Sequence, residues 1–431
     1  MRRFGRAACV VAVSALLASA CVGGGSNGGS TEGTGGEPGE RITLDLWIFE
    51  GEETFLPALE SAFEDAHPEI DLKITEIPED NYTTKIDTAL AANSPPDIGF
   101  ITEPRWIKAD RMVALDDVID AAGIEVSDLN QNAFEGCLYE GKVYCLGSYS
   151  AATMLFYNKD LFDAADLPYP SATESLSVDE YASLAERLTQ PSDDLSERVW
   201  GGEASTPYWW MDARTHFSED GRTTNGYVND APTVHMYEVL AKMVADGHAP
   251  SESQYQLIGS TEILATGQLA MSITDNASAI PLLENAGIAW GVAPLPVEQE
   301  DDEPFVSSWT DMWGVFSSSD NVEEAKQFVA FVGTTGNELR VEVANAVSLD
   351  LTVADELGWA EESAGRQEAL EVMGLAHPGI FVPGYWDVTD PLWDSFALVV
   401  EGDMTAQEAL DDVAPEMQES LDQAWQTWED I

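Results

Sequence analysis

The chain has 431 residues, 44% of them hydrophobic, enough to bury the cores of two or three ordinary domains. Its 78 acidic residues against 19 basic ones give a formal charge of −59, which argues against nucleic acid and anionic solutes as partners. The charge reads as a solvated acidic surface suited to a salt-rich or mildly acidic habitat, not as a binding site.

The first twenty residues have the pattern of an export signal: Arg2, Arg3 and Arg6, an apolar stretch from Ala7 to Leu17, then Ala18-Ser19-Ala20 before Cys21. The run is too short to span a membrane. Leu17-Ala18-Ser19-Ala20-Cys21 resembles a lipobox, in which the cysteine is diacylated and becomes the N-terminus; plain cleavage after Ala20 is the alternative. Residues 21–40 are Gly-, Ser- and Thr-rich and read as a flexible tether, which suits a lipid anchor. Gly24-x-Ser26-x-Gly28 matches a nucleophile elbow by chance, because that motif needs a strand before it and a helix after it, and here it falls within a Gly- and Ser-rich run.

Ile42, Leu44, Leu46 and Ile48 alternate as a strand, and Phe55, Leu56, Leu59 and Phe63 follow at helical spacing up to His67-Pro68. A strand from Leu72 to Ile77, a helix from Asn81 to Ala92 and a strand from Asp97 to Ile101 continue the alternation, which predicts parallel βαβ units. Cys137 and Cys145 flank Tyr139-Glu140-Gly141-Lys142-Val143-Tyr144, a hairpin on whose arms the two sulfurs would face each other. An oxidising compartment permits that bond; two buried free thiols are the alternative. Ser177-x-x-Glu180, Asp320-x-x-Glu323 and Thr405-x-x-Glu408 are capping-box patterns, and Ala270–Thr274, Trp290–Pro294 and Trp313–Ser317 are short strands. The class is α/β, with no internal repeat and no linker that would cut the mature chain into consecutive domains.

Several segments then follow in a recognisable order. They are Leu46-Trp47-Ile48-Phe49-Glu50-Gly51, Phe63-Glu64-Asp65-Ala66-His67-Pro68, Ser94-Pro95-Pro96-Asp97-Ile98, the hairpin, and Leu155-Phe156-Tyr157-Asn158-Lys159-Asp160-Leu161-Phe162. Gly267-Gln268-Leu269-Ala270-Met271, Trp290-Gly291-Val292-Ala293-Pro294 and Glu324-Ala325-Lys326-Gln327-Phe328 complete the series. Together they resemble the extracellular solute-binding proteins of family 1, the group of the maltose- and maltodextrin-binding proteins. The resemblance implies a two-lobed periplasmic-binding-protein fold, with mostly parallel sheets, helices on both faces and a hinged cleft. It puts 41–150 plus 314–360 in lobe 1 and 151–313 plus 361–431 in lobe 2. One departure is Ala346-Val347-Ser348-Leu349-Asp350-Leu351, where relatives often carry Gly-x-Leu-Pro-x-Arg, so contacts from that loop are open.

A sugar presents apolar C–H faces and a rim of hydroxyls, so its receptor needs aromatic rings and polar acceptors, and the chain has 13 Trp. Position in the family frame puts Trp47, Glu50, Glu103, Trp106 and Tyr149 at the cleft on one side. Trp209, Trp210 (with Tyr208 and Asp212), Asp275, Asn276 and Trp386 (with Tyr385) stand on the other, and Trp309 and Asp311 near a lobe crossing. A lone tryptophan is more often packing than contact, and for Trp47 and Trp106 core packing is the equal alternative. The implied function is the substrate-binding lipoprotein of an ABC importer, not an enzyme, holding a neutral di- or oligosaccharide. It would sit outside the cell membrane on a lipidated Cys21 as a monomer, with permease subunits as partners and no cofactor. The alternatives are an anchored glycoside hydrolase, which needs two flanking carboxylates, and a receptor for a polyol or other neutral solute. His67, His216, His235, His248 and His377 form no i, i+4 pair, which argues against a zinc or manganese site.

Overall fold

The computed structural model describes residues 41–431 except 53, 205–215, 259, 299–301 and 377–379. Strand β1 (Ile42–Phe49) buries Leu44, Leu46 and Ile48 completely on one face. Helix α1 (Phe55–Ala66) returns Phe55, Leu56, Leu59 and Phe63 onto that face, β2 (Ile70–Ile77) pairs parallel with β1 along its whole length, and α2 (Glu79–Ala91) follows. Strand β3 (Ile98–Phe100) joins β1 in parallel, and the short helix α3 (Pro104–Lys108) leaves its carboxyl end. The predicted βαβ alternation is present here, with boundaries shifted by one or two residues.

Strands β4 (Leu138–Tyr139) and β5 (Lys142–Val143) form the expected hairpin. Glu140 and Gly141 at its tip have φ of 48° and 77°, as a two-residue turn matching strand twist requires. Cys137 and Cys145, both fully buried, are disulfide-bonded with Cα atoms 4.8 Å apart.

Next in the chain come β6 (Ala151–Asn158), α4 (Val178–Leu188), α5 (Ala231–Ala245), β7 (Met271–Asp275), α6 (Asn276–Ala286), β8 (Trp290–Ala293) and β9 (Ser307–Trp309). β6 is the centre of a second sheet, pairing β7 on one edge and β8 and β9 on the other, all antiparallel. The parallel arrangement expected from strand–helix alternation is therefore confined to the first sheet. Strand direction depends on the end at which each connection re-enters, and hydrophobic periodicity does not carry that information. Strand β10 (Trp313–Val315) then crosses back and closes the first sheet antiparallel to β3, in the order β10-β3-β1-β2.

The chain ends with α7 (Val322–Phe331), α8 (Asn337–Glu342), α9 (Ala364–Met373), α10 (Pro391–Glu401) and α11 (Ala406–Asp430). Capping boxes hold the starts of α4, through Ser177 and Glu180, and of α11, through Thr405 and Glu408. The third expected box is absent: α7 starts after Asn321, whose side chain makes no cap, and the Asn321 amide instead donates to Ser319 Oγ at 2.9 Å.

One core gathers Leu44 to Leu146 with Trp313 to Leu349. The two faces of β6 serve two others, because successive side chains of a strand point to opposite sides. Leu155 and Tyr157 face a core that includes Tyr181, Tyr237, Leu240 and, on α11, Leu410, Met417 and Leu421. Met154 and Phe156 face another with Trp290, Val347, Ala354, Trp359 and Val372. Gly365 lets α9 lie against β8, since a Cβ there would stand 2.9 Å from the Trp290 ring.

Replacing Cys137 and Cys145 with Ser releases a short loop, so unfolding stability in urea should fall by roughly 2–3 kcal/mol, with the far-ultraviolet circular dichroism unchanged.

Candidate functional site

Parallel strands bring their carboxyl ends to one edge, where an α/β sheet leaves a crevice. At that edge β1 delivers Glu50 and Glu52, β3 delivers Thr102 and Glu103, and β10 begins after Asp311, with Ile101 N donating to Met312 O at 2.8 Å. The start of β6 reaches the same place: Leu146 and Trp313 exchange backbone hydrogen bonds, and Tyr149 bridges to Ser348. The departing segment 346–351 is part of this junction, with Ser150 N donating to Val347 O at 2.8 Å.

A buried ion cluster joins these strands. Arg340, on α8, donates to both Glu52 oxygens at 2.7 and 3.0 Å, to Asp311 Oδ2 at 3.2 Å and to Ser148 Oγ at 2.7 Å. Its guanidinium lies 3.5 Å from the centre of the Phe55 ring and 4.6 Å from that of Tyr149. Burial disfavours its charge, but Asp311 and Glu52 outweigh burial and the net shift is upward. Asp311 also accepts from Ser148 N at 2.7 Å, from Ser148 Oγ at 2.5 Å and from Trp313 Nε1 at 2.6 Å. Its oxygens are fully used by the protein. One turn before Arg340, Asn337 donates to Gly147 O at 3.1 Å and accepts from Asp350 N at 2.9 Å.

Beside this junction lies a groove of about 190 Å³ with two walls. Thr102, Glu103 and Pro104 form one, and the segment from Ile380 through Tyr385 and Trp386 forms the other. Trp386 is 57% exposed and meets Tyr385 edge-on at 5.3 Å. Glu103 is half-buried, and burial pushes its carboxyl up; Arg105, at 3.3 Å, opposes that shift, while Asp387 and Asp87 add to it. A carboxylate and an exposed indole thus line the same groove from different parts of the chain.

Of the expected site residues, Glu103 and Trp386 line this groove. Trp309, 36% exposed, ends β9 opposite Ala151, and Asp275 pairs with Thr153 across β6, so both stand at the same end of the second sheet as Tyr149. Asp275 caps α6 by accepting from Ser278 N at 2.8 Å, and Glu50 is exposed at the end of β1. Four others are structural in their contacts. Trp106 is 2% exposed and donates to Asp87 Oδ1 at 2.9 Å. Trp47 is half-buried on the face of β1 covered by α2, with the Lys85 ammonium 4.6 Å from its ring centre. Asn276, 1% exposed, ties α6 to β6 by accepting from Ala152 N at 2.7 Å; Asp311 is the fourth. Trp209 and Trp210, like Cys21, lie outside the described residues.

Sequence reasoning missed Glu52, Arg340, Phe381 and Glu203. Arginine inside the apolar run Leu339-Arg340-Val341 was the available signal, because buried arginine demands acidic partners. Glu203 is buried where the chain enters segment 205–215, accepting from Ile273 N at 2.8 Å, Ser272 Oγ at 3.1 Å and Tyr255 Oη at 3.4 Å. Burial, against these three donors, raises its pKa to about 7. Among the described residues no group of three or more His, Cys, Asp or Glu side chains could hold a metal ion.

The matching family is the bacterial extracellular solute-binding proteins, whose pattern covers residues 50–338, and the chain belongs to it. The family consists of substrate-binding proteins, not enzymes. Among its relatives is the melibiose/raffinose/stachyose-binding protein MelE of Bacillus subtilis, 22% identical over 312 residues, which are 68% of this chain and 70% of that one. The ABC substrate-binding protein Lmo0181 of Listeria monocytogenes, solved with cycloalternan, superposes with a TM-score of 0.76 at 21% identity, over 88% of this chain and 99% of that one. The maltose/maltodextrin-binding domain MalE of Bdellovibrio bacteriovorus, bound to maltotriose, gives a TM-score of 0.69 at 17% identity, over 88% and 99%. The fold is the two-lobed periplasmic-binding-protein fold. Among the described residues no helix is long and apolar enough to cross a membrane.

Two substitutions probe the interior polar groups. Arg340→Met leaves Glu52 and Asp311 partly buried without their cation, and should lower unfolding stability by about 3–5 kcal/mol in a urea titration. Glu203 has a folded pKa raised from 4.5 to about 7, so the folded state holds an extra proton between those values. Its stabilising contribution is complete below pH 4.5 and lost as pH rises through 7, at a slope of at most about 1.4 kcal/mol per pH unit. The stability difference between wild type and Glu203→Gln should follow that slope; a flat difference curve would remove the assignment.

Proposed function

We propose that the chain captures a neutral carbohydrate, a di- or oligosaccharide, between its two lobes and presents it to the membrane subunits of an ABC importer. The observation that carries this reading is the groove lined both by an exposed indole, Trp386, and by a carboxylate, Glu103, from a different part of the chain. Indole stacks on the C–H face of a pyranose, and desolvated acceptors discriminate hydroxyls, because a missing hydroxyl leaves them unpaired. A solute that touches both walls stabilises the closed arrangement over the open one by that differential contact.

The lobes in this proposal are 41–150 with 314–360, and 151–313 with 361–431, as the family frame gives them. The stretch 347–359 runs between the cores: Leu349 packs in the first, whereas Val347, Ala354 and Trp359 pack with Met154 and Phe156. In this reading Glu50, Tyr149, Asp275 and Trp309 extend the site from the groove, and Trp209 and Trp210 remain solute-contact candidates from the sequence alone. The protein acts as a monomer, held outside the cell membrane by a lipidated Cys21 and the tether 21–40. The solutes named for relatives, melibiose, raffinose, stachyose and maltotriose, make a suitable panel.

A solute that binds only the native state raises its melting temperature. At least one of those saccharides should do so at millimolar concentration, and Trp386→Ala should weaken that solute about tenfold or more, on the scale of one lost base-like stacking contact of 1–3 kcal/mol, without changing the unliganded melting point. No shift across the panel, or release of products from labelled oligosaccharides, would overturn the proposal.

A further inference from the structure

The last turns of α11 leave the core in which that helix is anchored. Its buried residues end at Leu421, and Trp425 and Trp428 follow, half-buried, three residues apart on one face. Trp425 Nε1 donates to Gly221 O at 2.7 Å, with the Arg222 guanidinium 4.0 Å from its ring centre. That contact fixes the helix end on its own side of the molecule.

Trp428 reaches across. Its ring lies 4.9 Å from Phe381, in one wall of the groove. On the opposite side it meets Tyr139 edge-on at 6.2 Å and the Lys108 ammonium at 4.6 Å, and Lys108 also donates to the Trp428 carbonyl. Lys108 closes α3, the helix that begins at Pro104 in the other wall, and Tyr139 is set in place by the disulfide-stapled hairpin. One indole therefore touches an element of each wall. Edge-on aromatic and cation–π contacts are modest one by one, so this link can break and re-form without unfolding either side.

We propose that Trp428 is a positioning residue for solute capture, an interlobal latch that sets how far apart the groove walls stand. Its meaning for uptake rests on the carbohydrate-receptor reading, but its effect on the walls does not. The test is therefore made without solute, on the full chain with Cys9→Ser and Cys21→Ser, carrying nitroxides at Thr84→Cys and Glu186→Cys, exposed positions on α2 and α4.

Pulsed dipolar distances should move to longer values in Trp428→Ala and in Lys108→Ala, while Trp428→Phe keeps the wild-type distribution and all melting temperatures match. Trp393→Ala, an exposed tryptophan on α10, should change nothing. A Trp428→Ala distribution that superimposes on wild type, or an equal shift from Trp393→Ala, overturns the latch. Adding maltotriose to the wild type in a separate arm tests the receptor reading, so either idea can fail while the other stands.

Discussion

The junction between the two halves depends on one buried guanidinium. Three stretches of chain pass there, at Gly147–Ser150, at Thr310–Trp313 and at Val347–Asp350, and each brings backbone groups with no partner in regular structure. Arg340 and Asn337, one turn apart on α8, gather all three through Asp311, Ser148, Gly147 and Asp350. Removing the guanidinium would leave two carboxylates facing each other in a poor dielectric, a heavier loss than any single packing contact nearby. Hinge motion in such a molecule must bend around this node, because the node cannot be opened without hydrating several charges at once.

The scarcity of cations gives their placement weight. Arg366, nearly fully buried, repeats the same solution in the other half, donating to both oxygens of Glu284 at 2.9 and 2.6 Å beside the Trp359 ring. A bidentate pair satisfies several donors at once and is the form of buried charge that survives desolvation. Most of the acidic residues, by contrast, face water. The surface charge and the buried arginines are thus separate matters: one concerns solubility, the other fold.

Much of the architecture was legible because it is local. Alternating Leu44, Leu46 and Ile48, the spacing of Phe55, Leu59 and Phe63, and two of three capping boxes describe interactions within a few residues. The hairpin disulfide belongs to the same class. What sequence could not say is where distant strands re-enter, so the antiparallel second sheet went unread. The site was partly legible for a similar reason: Glu103 and Trp386 could be named from position, but Trp106 and Asn276 are spoken for by Asp87 and Ala152, partners set by tertiary packing. Residue type and position named the candidates, and burial with its partners, which neither specifies, set what each side chain contacts.

The second sheet constrains the order in which such a polypeptide can fold. β6 borrows every neighbour from more than a hundred residues downstream, β3 waits for β10, and the core below β6 is finished only by α11. Contacts so far apart along the chain make for slow folding. A chain of this topology lacks the last piece of the core below β6 until α11, at its far end, has been made, so that core can close only as a late step of folding.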